Sequence, residues 1–415
     1  MLAIHRSVVR GINGGVLDAN LGPSSTRLAV SPDGATVFTA CHQQVYQINV
    51  PGLPPASSSN SRSTSSSSSS TSSSSITSTS PSAKPINLPD SHAAPHSLHM
   101  HSSPVQSIAC QPLGNGGSLL ASVDTHGRLR YSNYETNNNS NNNNSNSMAS
   151  TVARKDGDVI ESGWSGLTFG ASHHVAVVQH FDRTLSVADL NSGRKKYHGT
   201  CHLSGCPTDV GFCGSDNKLV ATSESNAVVL YDLRQSTSSS VAGQCVPTTV
   251  RRQTPSLATL RAVATPDVWP ANILTASDDR FVYTIEPRNW RVLRRWRTPL
   301  KYEPVRLLRS PSHDSLCYIA GLDNDIMCGD VGGTLQTGGD SNSGGSGKKR
   351  KREFTQLQMM FSTGFRGDGP WSGVTVRQDS DANGDINNDV LYAVSQSCGL
   401  YVVTGATGLL EVREG

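Results

Sequence analysis

The 415-residue sequence has no apolar run approaching the ~18 residues that a membrane-spanning helix needs. No membrane partner is expected. The first residues, MLAIHRSVVRG, lack the long apolar stretch of a secretory leader. Charged residues make up only 16 % and hydrophobic residues 35 %, both below globular averages because Ser- and Asn-rich tracts dilute them. Net charge is just +3, and Lys348-Lys349-Arg350-Lys351-Arg352 alone exceeds it. The rest is near neutral, which argues against a surface that coats nucleic acid. The 9 cysteines show no paired spacing, as in a reduced, intracellular protein. There is no nucleotide-binding glycine loop, no nucleophile elbow and no HExxH motif. No enzymatic activity and no cofactor are therefore expected.

What the chain does have is a short pattern repeated seven times. A small or hydroxyl residue is followed two positions later by a turn residue, then by an apolar residue, and often by an acid. The clearest copies run from Ser277 through Asp279 and Val282 to Glu286, and from Gly321 through Asp323 and Ile326 to Asp330. The seven turn residues are His42, Asp124, Asp182, Ser225, Asp279, Asp323 and Ser397. Two positions before them stand Ala40, Ser122, His180, Ser223, Ser277, Gly321 and Ser395. Self-similarity at this scale implies stacked supersecondary units. Each unit reads as three or four short strands, clearest in 208–212, 219–223 and 227–231. Pro32-Asp33-Gly34 sits between two apolar runs, where Pro fixes φ and Gly supplies a positive φ.

The spacing between units is uneven because of three biased tracts. Residues 56–83 are almost all Ser and Thr, 137–147 are Asn and Ser, and 332–347 are Gly-rich and lead into the basic run. Such segments bury too little apolar surface to offset their ordering entropy. Disordered inserts are expected over 51–97, 136–155 and 332–353, placed between units.

The repeat resembles the WD-repeat β-propeller family. The resemblance implies an all-β, seven-bladed β-propeller with long disordered low-complexity loops. Blades would lie near 27–50, 104–135, 164–199, 207–235, 259–297, 304–331 and 371–413. The chain departs from the family in having no Trp-Asp dipeptide; Ile48, Ala188, Tyr231, Ile285, Gly329 and Val403 take the Trp place. The family's hydrogen-bonded tetrad of Asp, Trp, Ser/Thr and His is thus expected to be incomplete in every blade. Ring closure normally joins the two ends of the chain in one blade. Residues 3–9 are the favoured closing strand over 409–413.

Several segments offer candidate binding residues. Tyr231-Asp232-Leu233-Arg234 resembles the docking box of ubiquitin-ligase substrate receptors, with Arg234 facing a ligase adaptor and Asp232 holding it. Residues 288–309 interleave basic and aromatic side chains; Arg291, Arg294, Arg295, Arg297 and Trp296 are candidates for an acidic protein or RNA. The bland reading is an outer strand whose arginines lie over its own aromatics. The basic run Lys348, Lys349, Arg350, Lys351 and Arg352 suits a nuclear-import receptor. Residues 379–389 alternate acids like a calcium loop but end without the bidentate Glu. His92, His96, His99 and His101, and Cys201, Cys206 and Cys213 near His198 and His202, lack metal-site spacing, so no metal is expected. The overall expectation is a scaffold binding other proteins in a nuclear assembly. A ubiquitin-ligase receptor and an RNA-associated factor are the alternatives, RNA being the less favoured partner.

Overall fold

The strand Leu316–Gly321 shows why this sequence cannot fold as isolated sheets. Side chains alternate across a strand, so Cys317 and Ile319 point one way, Tyr318 and Ala320 the other. All four are buried. A sheet apolar on both faces must be covered on both. In the computed structural model of the chain, that cover comes from neighbouring sheets arranged in a ring. The structure describes residues 3–9, 26–50, 86–87, 95–113, 117–134, 148–151, 163–170, 172–190, 197–202, 205–214, 217–238, 245–267, 271–332, 360–361, 364–379 and 388–410.

Seven sheets form the blades of a β-propeller, antiparallel throughout except that Ile86–Asn87 adds in parallel to Ala3–Val8 at the edge of the seventh. Blade 1 comprises Leu28–Val30, Thr36–Cys41, Gln44–Asn49 and His96–Met100. Blade 2 comprises Val105–Pro112, Ser118–Asp124, Arg128–Tyr134 and Met148–Thr151. Blade 3 runs from Ser165–Phe169 to Tyr197–His202, blade 4 from Pro207–Phe212 to Cys245–Gln253, and blade 5 from Leu260–Ala264 to Arg291–Arg297. Blade 6 begins at Pro304–Arg309; its third strand, Asp325–Asp330, pairs with two short pieces, Met360–Phe361 and Phe365–Arg366. Blade 7 holds Trp371–Asp379, Asn388–Ser395 and Gly399–Thr404.

The seventh blade is completed by the chain's first strand. Ala3–Val8 pairs antiparallel with Gly399–Thr404, Ala3 opposite Thr404 and Val8 opposite Gly399. The core confirms the ring. It divides into seven clusters, and each is shared by two adjacent blades. Cys317 and Ile319 pack with Leu274 and Trp296 of blade 5, whereas Tyr318 and Ala320 pack with Trp371 and Val403 of blade 7. The last junction joins Leu28 and Val37 of blade 1 to Tyr392 and Val402 of blade 7.

Backbone geometry reproduces the repeat register. Arg183, Asn226, Arg280 and Cys398 have φ of 54°, 62°, 65° and 65°, and each directly follows a turn residue of the repeat. Blade 2 has two more residues in this turn, and Gly127 takes the left-handed position at φ 70°. In blade 1 the left-handed residue is His42 itself, between the paired Cys41 and Gln44.

Two expectations need correction. The low-complexity tracts do not fall between blades. The Ser/Thr tract joins the third strand of blade 1 to its outer strand, and the Asn tract does the same in blade 2. Strand residues 86–87, 96–97 and 148–151 therefore lie inside segments expected to be wholly disordered, and blade 4 extends to Gln253. The reason is that each outer strand is short and polar, so it carries no periodic apolar signal. The Gly-rich tract and basic run likewise follow the third strand of blade 6. All three tracts attach to one face of the ring, and their own residues lie mostly outside those described.

Candidate functional site

The other face gathers the turns between second and third strands, together with the loops that lead from each outer strand to the next blade. In blade 2 its centre is Asp124, fully buried. Its Oδ1 accepts the backbone N–H groups of His126 and Arg128 at 3.0 and 2.9 Å. The His101 ring, delivered by the preceding loop, places Nδ1 3.4 Å from Asp124 and Nε2 2.7 Å from the Ser122 hydroxyl. Burial works against the Asp124 carboxylate, but the nearby His101 ring and the Arg128 amide outweigh it and hold its pKa below the ordinary value. His99 also lies 2.7 Å from Ser122 Oγ. Burial, then the neighbouring His101, pulls its pKa down to about 4. Asp, His and Ser of the tetrad are thus assembled in this blade without the Trp. The histidine cluster finds its role here, since His99 and His101 converge on a hydroxyl.

Blade 5 builds the same corner from different side chains. Asp279 accepts from Ser256 Oγ at 2.8 Å, Tyr283 Oη at 2.6 Å and the Phe281 amide at 3.0 Å. Ser277 Oγ bonds Ser256 Oγ at 3.0 Å. Blade 6 puts Leu300 where the His would stand, and Asp323 is pushed above the ordinary carboxylate range by burial and by neighbouring Asp325. Between blades 3 and 4, His180 Nε2 lies 2.9 Å from Glu224 Oε1, and the Trp164 ring sits 4.8 Å from the His180 ring.

This face carries hydrogen-bonded corners and most of the exposed large apolar side chains. Among the described residues, seven large hydrophobic side chains are exposed; six of them, Val8, Met100, Phe181, Leu257, Tyr302 and Leu322, belong to its turns, loops and strand ends. Leu257 is 99 % exposed, while its carbonyl accepts from Asn226 Nδ2 at 2.8 Å, so the side chain is held out on a fixed backbone. Ion pairs stand between the apolar side chains. Arg261 bonds Asp278 at 2.5 Å and approaches Glu303 at 3.4 Å, Arg366 bonds Asp325 at 2.6 Å, and Arg6 bonds Asp368 at 2.5 Å. Apolar anchors among charged groups are the usual make-up of a non-obligate protein interface.

The residues singled out in the sequence fall in three places. Asp232 and Arg234 meet toward the opposite face, inside the third strand of blade 4 (Val228–Ser238), where its pairing with the second strand stops at Asp232 opposite Lys218. Arg234 Nε and Nη2 donate to the two Asp232 oxygens at 3.0 and 2.7 Å, with the Arg234 side chain 63 % exposed and Asp232 8 %. The Arg234 hydrogen bond holds the Asp232 pKa below its ordinary value. Arg291, Arg295 and Arg297 are exposed on the outer strand of blade 5, and Arg294 is tied to the Gly332 carbonyl at 2.7 Å. Trp296, expected to offer a stacking face, is 3 % exposed and belongs to the core between blades 5 and 6. The alternation of the strand turns it inward, while Arg294 lies 5.8 Å over its ring and Arg295 lies 5.0 Å over Phe281. The import segment 348–352 and most of the acidic loop 379–389 lie outside the described residues.

The inner strands surround a central channel with two cavities of about 600 and 650 Å³ that share Thr168, Asp267, Arg306 and Val376. Arg306 reaches toward the fully buried Asp209 at 3.7 Å. Asp209 also accepts the amides of Val210 and Val263, both at 2.9 Å. Burial raises its pKa despite these partners. The contacts tie the inner strands of blades 4, 5 and 6 together.

No family model matches this sequence, and no curated protein matches it. Its shape has solved counterparts. A chain from "Crystal Structure of Mitotic Checkpoint Complex" superposes with a TM-score of 0.56 over 96 % of this chain and 90 % of that one, at 12 % identity. The likeness is one of fold. This chain has the seven-bladed propeller architecture, and that architecture, not sequence, relates it to proteins already known.

Proposed function

We propose that this protein is a non-catalytic scaffold of the WD-repeat kind that holds other proteins in a nuclear assembly. One observation carries the reading: a single ring face bears six of the seven exposed large hydrophobic side chains, with ion pairs between them. The third strands that precede the three low-complexity tracts end on the opposite face. The similar chain comes from a multiprotein complex, which supports the same reading. The basic run 348–352 is the proposed import signal. The test is to compare proteins co-purifying with the parent and with a Phe181→Ser, Leu257→Ser, Leu322→Ser variant. Loss of specific partners from a folded variant supports the scaffold. An unchanged partner set in the folded variant would overturn it.

A second reading rests on the Asp232–Arg234 pair. A buried carboxylate orienting an exposed guanidinium is a prepared contact for an acidic surface. It favours the ligase-adaptor role over an RNA role, since Trp296, the candidate stacking side chain, is buried in the core.

A further inference from the structure

His180, Cys206 and Glu224 come together across the junction of blades 3 and 4, although they are far apart in sequence. Their ligand atoms, an imidazole nitrogen, a thiol sulfur and a carboxylate oxygen, all lie within 4.8 Å of one another. Each is placed by backbone hydrogen bonds. The Glu224 amide donates to the Cys206 carbonyl at 2.9 Å, which fixes those two residues side by side. The His180 amide donates to the Trp164 carbonyl at 2.9 Å. The His180 ring is 4 % exposed, and its Nδ1 has no hydrogen-bond partner. Its Nε2 faces Glu224 Oε1 at 2.9 Å and is the nitrogen turned into the cluster. At the position two before the turn residue the other blades carry Ala, Ser or Gly, so the histidine is not a requirement of the repeat.

We propose that His180, Cys206 and Glu224 form a zinc site that clips blade 3 to blade 4 on the turn face. The donor set selects the metal. Thiolate and imidazole suit Zn²⁺ and disfavour the hard cations Mg²⁺ and Ca²⁺. Three protein ligands leave one tetrahedral position, and it opens toward solvent because the Glu224 side chain is 39 % exposed. Water fills it in the isolated chain. Binding displaces the Cys206 thiol proton to the buffer, so affinity rises with pH. The present spacing is somewhat wider than a filled tetrahedron, and the exposed Glu224 has the freedom to close it.

Cobalt titration of tag-free, full-length protein under reducing conditions tests the site, because Co²⁺ bound to a thiolate gives a near-ultraviolet charge-transfer band that histidine-only binding lacks. One equivalent of Co²⁺ giving that band, displaced by Zn²⁺, is the expected result. Cys206→Ser should abolish the band, and Glu224→Gln should weaken binding at least ~10-fold. Cys201→Ser should behave as the parent. Absence of a thiolate band in the parent, its survival in Cys206→Ser, or its loss in Cys201→Ser would each overturn the proposal. Glu224 is surface-accessible, so its variant remains informative even if Cys206→Ser folds poorly.

Discussion

His101 and Ser256 occupy the same station in two different blades. Each comes from the loop entering its blade and precedes the turn aspartate, Asp124 or Asp279, by 23 residues. His101 spans from Asp124 to the Ser122 hydroxyl; Ser256 spans from Asp279 to the Ser277 hydroxyl. The repeat therefore preserves a hydrogen-bonded corner while exchanging the side chain that makes it.

The two corners differ in burial, and that difference predicts a ranking. Asp124→Ala strands the buried amides of His126 and Arg128 and the His101 ring, and should cost roughly 2–4 kcal/mol. Asp279 is nearer the surface, where water replaces part of what is lost, so Asp279→Ala should cost roughly 1–2 kcal/mol. Chemical unfolding of both variants checks the order. Equal costs would mean the corner does not depend on burial.

The same corner gives the protein an acid sensitivity. His99 is held neutral in the fold, with its pKa lowered from 6.5 to about 4. The unfolded chain binds the proton more readily, so the stabilisation is complete above pH 6.5 and is lost as pH falls toward about 4. The full loss is on the order of 3 kcal/mol. Thermal unfolding followed from pH 7 to pH 4 should show a falling midpoint, and His99→Gln should flatten that slope. A parallel slope in the variant would assign the sensitivity to other groups.

Most of the ring was legible in the sequence, because the turn chemistry recurs at fixed positions. Asp182, Ser225, Asp279 and Ser397 mark turns whose next residue is left-handed in every case. The outer strands of blades 1 and 2 were not legible, unlike those of blades 5 and 7. Met148–Thr151 and His96–Met100 are short and carry polar side chains, so nothing separates them from the tracts beside them. Trp296 was misread because a basic strand alternates: Arg291, Arg295 and Arg297 face outward, while Trp296 faces in with Arg294 over its ring. The junction of His180, Cys206 and Glu224 depends on which blades are neighbours, and spacing along the chain does not encode that. One signal was present, a histidine where six other copies carry Ala, Ser or Gly.

Closure of the ring by the first strand makes a strong prediction about a residue remote from any turn. Ile4 lies opposite Val403, is 2 % exposed, and packs with Trp371 and Leu391 between blades 6 and 7. Ile4→Ala should cost about 2–4 kcal/mol. Removing residues 1–9 should do more, since it leaves the Gly399–Thr404 edge unpaired and opens the seventh blade. A truncated chain that melts at the parent's temperature would show that the strand is not what closes the ring.

Arg234 provides the opposite kind of test, a residue whose loss should leave the fold alone. Its guanidinium is 63 % exposed, and its partnership with Asp232 is a surface ion pair. Such pairs contribute little to stability, so Arg234→Ala should leave the unfolding midpoint close to that of the parent. Asp232 is itself nearly buried, so Asp232→Ala should cost more and release the arginine from its fixed direction. If an acidic partner such as a ligase adaptor docks here, both variants should lose it, and Arg234→Lys should not restore it because the bidentate fork is gone. Retention of the adaptor by Arg234→Ala, or equal absence of any adaptor from the parent, would leave the Asp232–Arg234 pair as a local contact within the strand Val228–Ser238. The apolar turn face would then carry all partner binding.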